Sequence, residues 1–181
     1  MIFKGEIMDL KGSRTEENLK IALQGEALAH LKYQFYKSKI ANKSKHFESI
    51  LDEIVHNEKE HGKIWFKLLH GGEVPDDEQN LLDAINGETK EHKSMYPEFA
   101  RIAREEGFDD ISNLFEMVAE IEGEHAEDFS EMLKCIEDET LFRDDSPIYW
   151  KCKNCGFYYF GQEPPEKCPV CAHPRKYFVR D

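Results

Sequence analysis

The chain has 181 residues, of which 40% are hydrophobic and 34% are charged, and its formal net charge is -13. This length accommodates one medium-sized domain and a small one, and the apolar fraction is sufficient for a globular core. Nucleic acid and anionic membranes repel an acidic surface, so we expect neither as a partner. The sequence contains no apolar run of membrane-spanning length and no apolar block near its start, so we expect a cytoplasmic protein without a signal peptide.

Four long helices are predicted between Thr15 and Glu139, where apolar residues recur at steps of three and four. The predicted ranges are 15–41, 46–70, 78–106 and 109–139. The boundary signals are Ser13 or Thr15 as a cap of the first helix, Gly71 at the end of the second, and Asp109 or Asp110 as a cap of the fourth. Pro97 lies inside the third helix and should kink it rather than end it, because the apolar pattern resumes beyond it.

The composition changes after Glu139. Residues 148–181 contain four cysteines and four prolines. A segment this short cannot bury a sufficient core alone, so we expect a metal ion to stabilise it. The predicted fold class is an all-α four-helix bundle followed by a small, mostly irregular or β four-cysteine metal module, with domain ranges 1–143 and 144–181.

A repeated Glu-x-x-His motif interrupts the apolar faces of two predicted helices. Glu58 and His61 on the second helix recur 64 residues later as Glu122 and His125 on the fourth. The spacing of three residues places each Glu and its His on one helix face, one turn apart. A single motif of this kind is usually a solvated charged surface, but two copies on apolar faces favour a buried site.

A glutamate on the preceding helix accompanies each motif: Glu26 on the first helix, and Glu88 or Glu91 on the third. Buried carboxylates repel one another unless a counter-charge is present, and two divalent ions would balance four of them. Two neutral histidines would add nitrogen ligands, which completes the ligand scheme of di-iron and di-manganese carboxylate bundles. Such carboxylate-rich sites suit iron or manganese, and zinc can occupy them.

Four cysteines form two Cys-x-x-Cys pairs, Cys152 with Cys155 and Cys168 with Cys171. In a reducing compartment such pairs bind metal more often than they form disulfides. Four thiolates in a tetrahedral arrangement accept zinc or iron, so a purely structural zinc ribbon stays open at this point. Cys135 stands alone and is predicted to be a small apolar filler.

The two parts together resemble rubrerythrin, from about Gly12 to the C-terminus. The resemblance lies in the stretches GSRTEENL, GEALAH, NEKEH, ETKEHKSMYPEFARIAREEGF, IEGEH, CKNCG and CPVCAHP. It implies a ferritin-like bundle with two iron ions, a rubredoxin-like domain with one iron, and substitution by zinc or manganese as an alternative loading. The implied activity is a non-haem peroxidase that reduces hydrogen peroxide to water in the response to oxidative stress.

The resemblance also implies partners and ligand roles. The external electron donor would be rubredoxin or an NAD(P)H-dependent reductase, and the protein would be a homodimer or a larger even oligomer, with the tail of one subunit near the di-iron site of the other. In the implied ligand set, Glu58 and Glu122 bridge the metals, and Glu26 and Glu88 are terminal ligands. Glu91 would bind one iron in the oxidised state and give way to His61 on reduction.

Two other functions compete with the peroxidase. The helical part alone would allow ferrous iron oxidation and iron storage, as in ferritins, although storage does not need the four-cysteine module. A zinc ribbon on a helical adaptor is the structural alternative, and the carboxylates on the apolar faces oppose it.

Overall fold

The computed structural model describes residues 10–181, which form two compact units that meet in sequence at Pro75 and Asp76. The first unit is a pair of helices, and the second contains a further helical pair and a small sheet. This content confirms the predicted fold class. None of the described helices is both long enough and apolar enough to cross a bilayer. The prediction about a signal peptide concerns residues 1–14, of which residues 1–9 lie outside the described part of the chain.

The first unit is an antiparallel hairpin of helix α1, Arg14–Ile40, and helix α2, Lys45–Leu69, joined by the 3-10 turn Ala41–Lys43. Both helices start one residue before the predicted positions. The Ser13 side chain accepts a hydrogen bond from the Glu16 amide, so the predicted cap of α1 is confirmed. A bond from Lys37 to Asp52 links the two helices near the turn.

The second unit begins with helix α3, Asp77–Lys90, a π-helical segment, Glu91–Met95, and helix α4, Tyr96–Glu105, which follow one another without a break. Together they occupy the range predicted for the third helix. The π segment ends two residues before Pro97, a residue that lacks an amide donor and whose ring crowds the carbonyl four residues earlier, within the segment. The helical conformation therefore continues past the proline, but through a wider turn that the sequence did not predict.

Helix α5, Asp109–Glu137, completes the helical part, and its start corrects one prediction. Phe108 occupies the N-cap position, and its side chain makes no capping hydrogen bond. Asp109 and Asp110 lie in the first turn instead, where negative charge interacts favourably with the helix dipole. At the end of α2, Gly71 has a φ of 77° and follows the last turn, so its predicted role as a helix terminator is confirmed.

The C-terminal part is a three-stranded antiparallel sheet of β1, Ile148–Cys152, β2, Tyr158–Gly161, and β3, Phe178–Arg180, in the order β2-β1-β3. Its hydrophobic cluster consists of Trp150, Cys152, Cys168 and Phe178, and Pro164 is also fully buried. Two of the four side chains in the cluster are thiols, so the apolar core is small and depends on what the cysteines bind.

Candidate metal centres

The first cluster lies within the α1–α2 hairpin and contains Glu26, Glu58 and His61. Their potential ligand atoms all lie within 4.8 Å of one another. The His61 Nδ1 atom is 3.8 Å from Glu26 Oε2 and 3.7 Å from Glu58 Oε2. Helix α1 thus contributes one carboxylate, and one turn of α2 contributes a carboxylate and an imidazole.

The second cluster lies within the α3–α5 pair and contains Glu88, Glu122 and His125, again within 4.8 Å. The His125 Nδ1 atom is 2.7 Å from Glu122 Oε2 and 3.8 Å from Glu88 Oε2. Each helix pair therefore builds the same three-residue arrangement. Six of the seven residues predicted to bind metal in the helical part belong to one or other cluster.

The six side chains are less buried in their own helix pairs than the apolar pattern suggests. The side chains of His61 and His125 are 52% and 49% exposed. The four carboxylates are between 15% and 25% exposed; they belong to Glu26, Glu58, Glu88 and Glu122. A two-helix pair covers only one side of a side chain on its contact face. Each cluster is consequently partly exposed, and its histidine is the most exposed of the three side chains.

The carboxylates within each cluster perturb one another. The Glu26 carboxylate, followed by burial, raises the pKa of Glu58. In the second cluster, burial and the nearby Glu122 charge raise the pKa of Glu88. Both shifts express the cost of ionising a partly buried carboxylate beside another one, which a bound cation would relieve. Carboxylate oxygens and imidazole nitrogens are the donor set that iron and manganese accept, so the residues fit a di-metal site.

Glu91 is the one predicted helical ligand that the structure leaves outside these clusters. It is the first residue of the π segment, and it is close enough for its charge to contribute to the raised pKa of Glu88. Single π-helical turns occur frequently at functional sites. The wider turn thus falls at the predicted exchangeable ligand.

Trp65 is a site residue that the sequence analysis did not single out. Its indole Nε1 donates a hydrogen bond to Glu26 Oε1 at 3.4 Å. The indole N–H is a donor without acceptor capacity, so it suits a carboxylate that must stay ionised. The sequence signal that could have identified this residue is a tryptophan on the same helix face, one turn after His61.

In each helix pair, one histidine outside the cluster forms a hydrogen bond between the two helices. The His30 Nδ1 atom bonds the Val55 carbonyl at 2.9 Å, and the His92 Nδ1 atom bonds the Ala119 carbonyl at 2.7 Å. Each histidine follows the cluster glutamate of its own helix by four residues. Each carbonyl precedes the glutamate of the Glu-x-x-His motif by three. These bonds fix the register in which each glutamate faces its motif.

The four predicted cysteines come together at one end of the sheet. The Sγ atoms of Cys152 and Cys171 are 3.8 Å apart, and those of Cys155 and Cys168 are 3.6 Å apart. Four sulfurs held about 2.3 Å from one central ion would lie about 3.8 Å from each other, so the spacing fits a tetrahedral metal. A backbone hydrogen bond from His173 lowers the pKa of Cys171, whereas burial and the neighbouring thiols raise the pKa of Cys155. A bound cation would favour the thiolate form of all four cysteines.

Matching backbone turns hold the two cysteine pairs. The Gly156 amide donates to the Cys152 carbonyl, and the Ala172 amide donates to the Cys168 carbonyl, each at 2.8 Å. Gly156 has a φ of 78° and Ala172 a φ of 59°, so each turn closes through a left-handed residue. Each tight turn presents two thiols to the same point.

Comparison with known proteins identifies both parts. Residues 17–133 match the model of the rubrerythrin family, and residues 150–179 match that of the rubrerythrin rubredoxin-like domain. The chain is 37% identical to rubrerythrin of Nitratidesulfovibrio vulgaris and 38% identical to rubrerythrin of Clostridium perfringens. Both alignments cover 93% of this chain and 95% of the relative.

The family assignment and the donor geometry agree on the cofactor. The helical domain carries the di-iron site of the family, and the four-cysteine cluster is its rubredoxin-like iron site. The predicted ferritin-like and rubredoxin-like parts are therefore confirmed. On the matched length and identity, the chain belongs to the rubrerythrin family.

Proposed function

We propose that the chain is a non-haem di-iron peroxidase that reduces hydrogen peroxide with two electrons and two protons to two molecules of water. The observation that carries the proposal is the presence of two matching Glu-Glu-His clusters on the same chain as a four-thiol site. When bound, iron at the carboxylate site supplies the electrons and acts as a Lewis acid. The four-cysteine site, which iron storage does not need, supplies a route for replacing those electrons.

In this proposal the two clusters together supply the ligands of one di-iron site. Glu58 and Glu122 would hold the metal pair jointly, and Glu26 and Glu88 would each hold one of the two metals. The bond from Trp65 orients Glu26, and an ionised carboxylate is the form that this donor stabilises.

Glu91 is proposed as a ligand that alternates with His61 on one iron. A more highly charged, oxidised metal pair favours an additional carboxylate, whereas a reduced pair is already balanced by the other glutamates. The start of the π segment at Glu91 and the effect of the Glu91 charge on the pKa of Glu88 support a ligand position beside the second cluster.

Residues 144–181 act as the electron-transfer domain and residues 1–143 as the peroxide-reducing domain in this proposal. Rubredoxin or an NAD(P)H-dependent reductase would recharge the four-cysteine iron from outside. Four unpaired thiols within reach of one another support a reducing, cytoplasmic location.

The visible spectrum of the purified protein tests the function. A red ferric-thiolate colour should bleach on anaerobic reduction and return when peroxide is added. A variant carrying Glu58→Ala and Glu122→Ala should still be red, but peroxide should restore its colour far more slowly. A colourless tail would point to zinc, and iron accumulation far beyond these sites would point to storage; either result contradicts the peroxidase.

A further inference from the structure

The connection between helix α5 and strand β1 is bonded to the end of the helix. It comprises residues 138–147, and ten unrestrained residues would reach about 35 Å at full extension. Instead, the Glu139 amide bonds the Ile136 carbonyl at 3.2 Å, and the Thr140 amide bonds the Cys135 carbonyl at 3.0 Å. Glu139 has a φ of 55°, so the two bonds form a Schellman motif that ends α5. The chain is therefore fixed to the helix as far as Thr140.

The second half of the connection is bonded to the sheet. The Asp144 amide donates to the Gln162 carbonyl at 2.9 Å. The side-chain amide of Gln162 donates in turn to the Asp145 carbonyl, also at 2.9 Å. Gln162 directly follows strand β2, so these bonds attach residues 144 and 145 to the edge of the sheet.

The side chain of Arg180 joins the two halves. Its Nη2 atom donates to the Thr140 carbonyl at 2.9 Å and to the Arg143 carbonyl at 2.7 Å, and its Nε atom lies 3.8 Å from Asp144 Oδ2. Thr140 is thus bonded through its amide to α5 and through its carbonyl to strand β3. A guanidinium suits this position because its donors project in fixed directions from one rigid plane.

Arg180 is itself held beside the four-cysteine site. It pairs with Trp150 across β1 and β3, and its guanidinium carbon lies 5.6 Å from the centre of the Trp150 rings, where a cation is attracted. Trp150 is 1% exposed and packs in one cluster with Cys152 and Cys168. Its indole N–H also bonds the Gly161 carbonyl at 2.9 Å. A continuous series of contacts therefore leads from the thiols through Trp150 and Arg180 to α5.

We infer that Arg180 is a positioning residue that fixes the orientation of the four-cysteine domain relative to α5. This role rests on the proposed function, in which the four-cysteine site supplies electrons to the carboxylate site. Helix α5 carries Glu122 and His125, so the same bonds set where the electron-transfer domain stands relative to these ligands. A fixed arrangement spares the domain a search among orientations before each of the two electrons passes.

Nuclear magnetic resonance relaxation of the full-length, zinc-loaded protein tests the fixed orientation, because zinc fills the four-cysteine site and involves no redox step. In the wild type, the amides of residues 148–181 should report the same rotational correlation time as those of α5. In Arg180→Ala they should report a shorter one, and Arg180→Lys should be intermediate, since lysine keeps the charge but lacks the planar group.

The matched control is Arg143→Ala, which removes a side chain of equal charge from the connection but keeps the carbonyl that Arg180 bonds. Its correlation times should match those of the wild type. A shorter correlation time for residues 148–181 in the wild type would overturn the inference, and so would an unchanged one in Arg180→Ala.

The consequence for electron delivery is measured by the rate at which peroxide restores the red colour of the reduced, iron-loaded protein. In Arg180→Ala this rate should fall by about 10-fold, because a misplaced group reacts more slowly. The ferric-thiolate spectrum and the rate of bleaching by dithionite should equal those of the wild type, which shows that the domain is folded and loaded.

Return of the colour at the wild-type rate in a variant whose domain moves independently would contradict the positioning role. If peroxide fails to restore the colour of the wild type, the proposed function is wrong. The relaxation measurement still decides in that case whether Arg180 fixes the orientation of the domain.

Discussion

Replacing Gly123 with alanine should destabilise the α3–α5 pair, because the new methyl group would meet the imidazole of His92. A Cβ atom at this position would lie 3.0 Å from both Cε1 and Nδ1 of that ring. The ring cannot retreat freely, because its Nδ1 atom is bonded to the Ala119 carbonyl at 2.7 Å. The substitution must therefore shift the helix contact or break this bond.

The expected magnitude combines three effects. Alanine gains about 1 kcal/mol over glycine inside a helix. Overpacking costs about 1–3 kcal/mol, and loss of the His92 bond costs about 1 kcal/mol. The net destabilisation should be about 1–3 kcal/mol. Gly87→Ala is the control within the same helix pair, since nothing lies within 4 Å of its Cβ position, and it should stabilise by about 1 kcal/mol.

Urea unfolding followed by circular dichroism at 222 nm would measure both variants in the metal-free protein. The two substitutions have the same chemistry, so their difference isolates the contact with His92. Equal stabilisation by Gly123→Ala and Gly87→Ala would refute the close packing of the imidazole on α5. A further variant, Gly123→Ala with His92→Ala, should recover most of the lost stability.

Three further predictions concern the metal sites. Trp65→Phe removes the hydrogen-bond donor to Glu26, so the affinity of the carboxylate site for iron should fall by about 10-fold in a titration with ferrous iron. This is the low end of the usual loss when a partner of a metal ligand is removed, because the bond is long, at 3.4 Å. Cys171→Ser should abolish the red ferric-thiolate absorption, whereas Cys135→Ser should leave it unchanged; loss of colour in both would contradict the assignment. In the metal-free protein the pKa of Glu88 is raised by folding, so protonated Glu88 stabilises the folded state. This stabilisation is complete below the unfolded-state pKa of about 4.5, and it is lost as the pH rises through the higher pKa of the folded state. Urea midpoints between pH 4 and 7 should fall more for the wild type than for Glu88→Gln, and parallel curves would refute this.

The sequence predicted the helices and the ligands that depend on local spacing. Each predicted helix boundary lies within two residues of the observed one, because apolar periodicity and glycine breaks are local signals. The same holds for the motifs of Glu58 and Glu122, since a spacing of three residues fixes a common helix face. The four-cysteine site was equally predictable, because each Cys-x-x-Cys pair lies on one tight turn that places its two thiols side by side.

Features that depend on contacts between helices were not predictable. The bond from Trp65 to Glu26 joins residues 39 apart, and the bond from His92 to Ala119 joins residues 27 apart. No local pattern distinguishes such a histidine from one that faces solvent. The π segment was missed for a related reason: Pro97 indicates a disturbed helix, but not whether the chain kinks or widens its turn. Phe108 at the N-cap shows that nearby acidic residues do not ensure a side-chain cap.

The most direct test of the central claim is the consumption of peroxide by the fully reduced protein under anaerobic conditions. The account predicts that Glu58→Ala with Glu122→Ala nearly abolishes this reaction, while the four-cysteine iron remains fully reducible. Glu60→Ala with Glu124→Ala, two residues further along the same helices, is the matched control and should react at the wild-type rate. Undiminished peroxide reduction by the first variant would show that the carboxylate clusters are not where the reaction occurs.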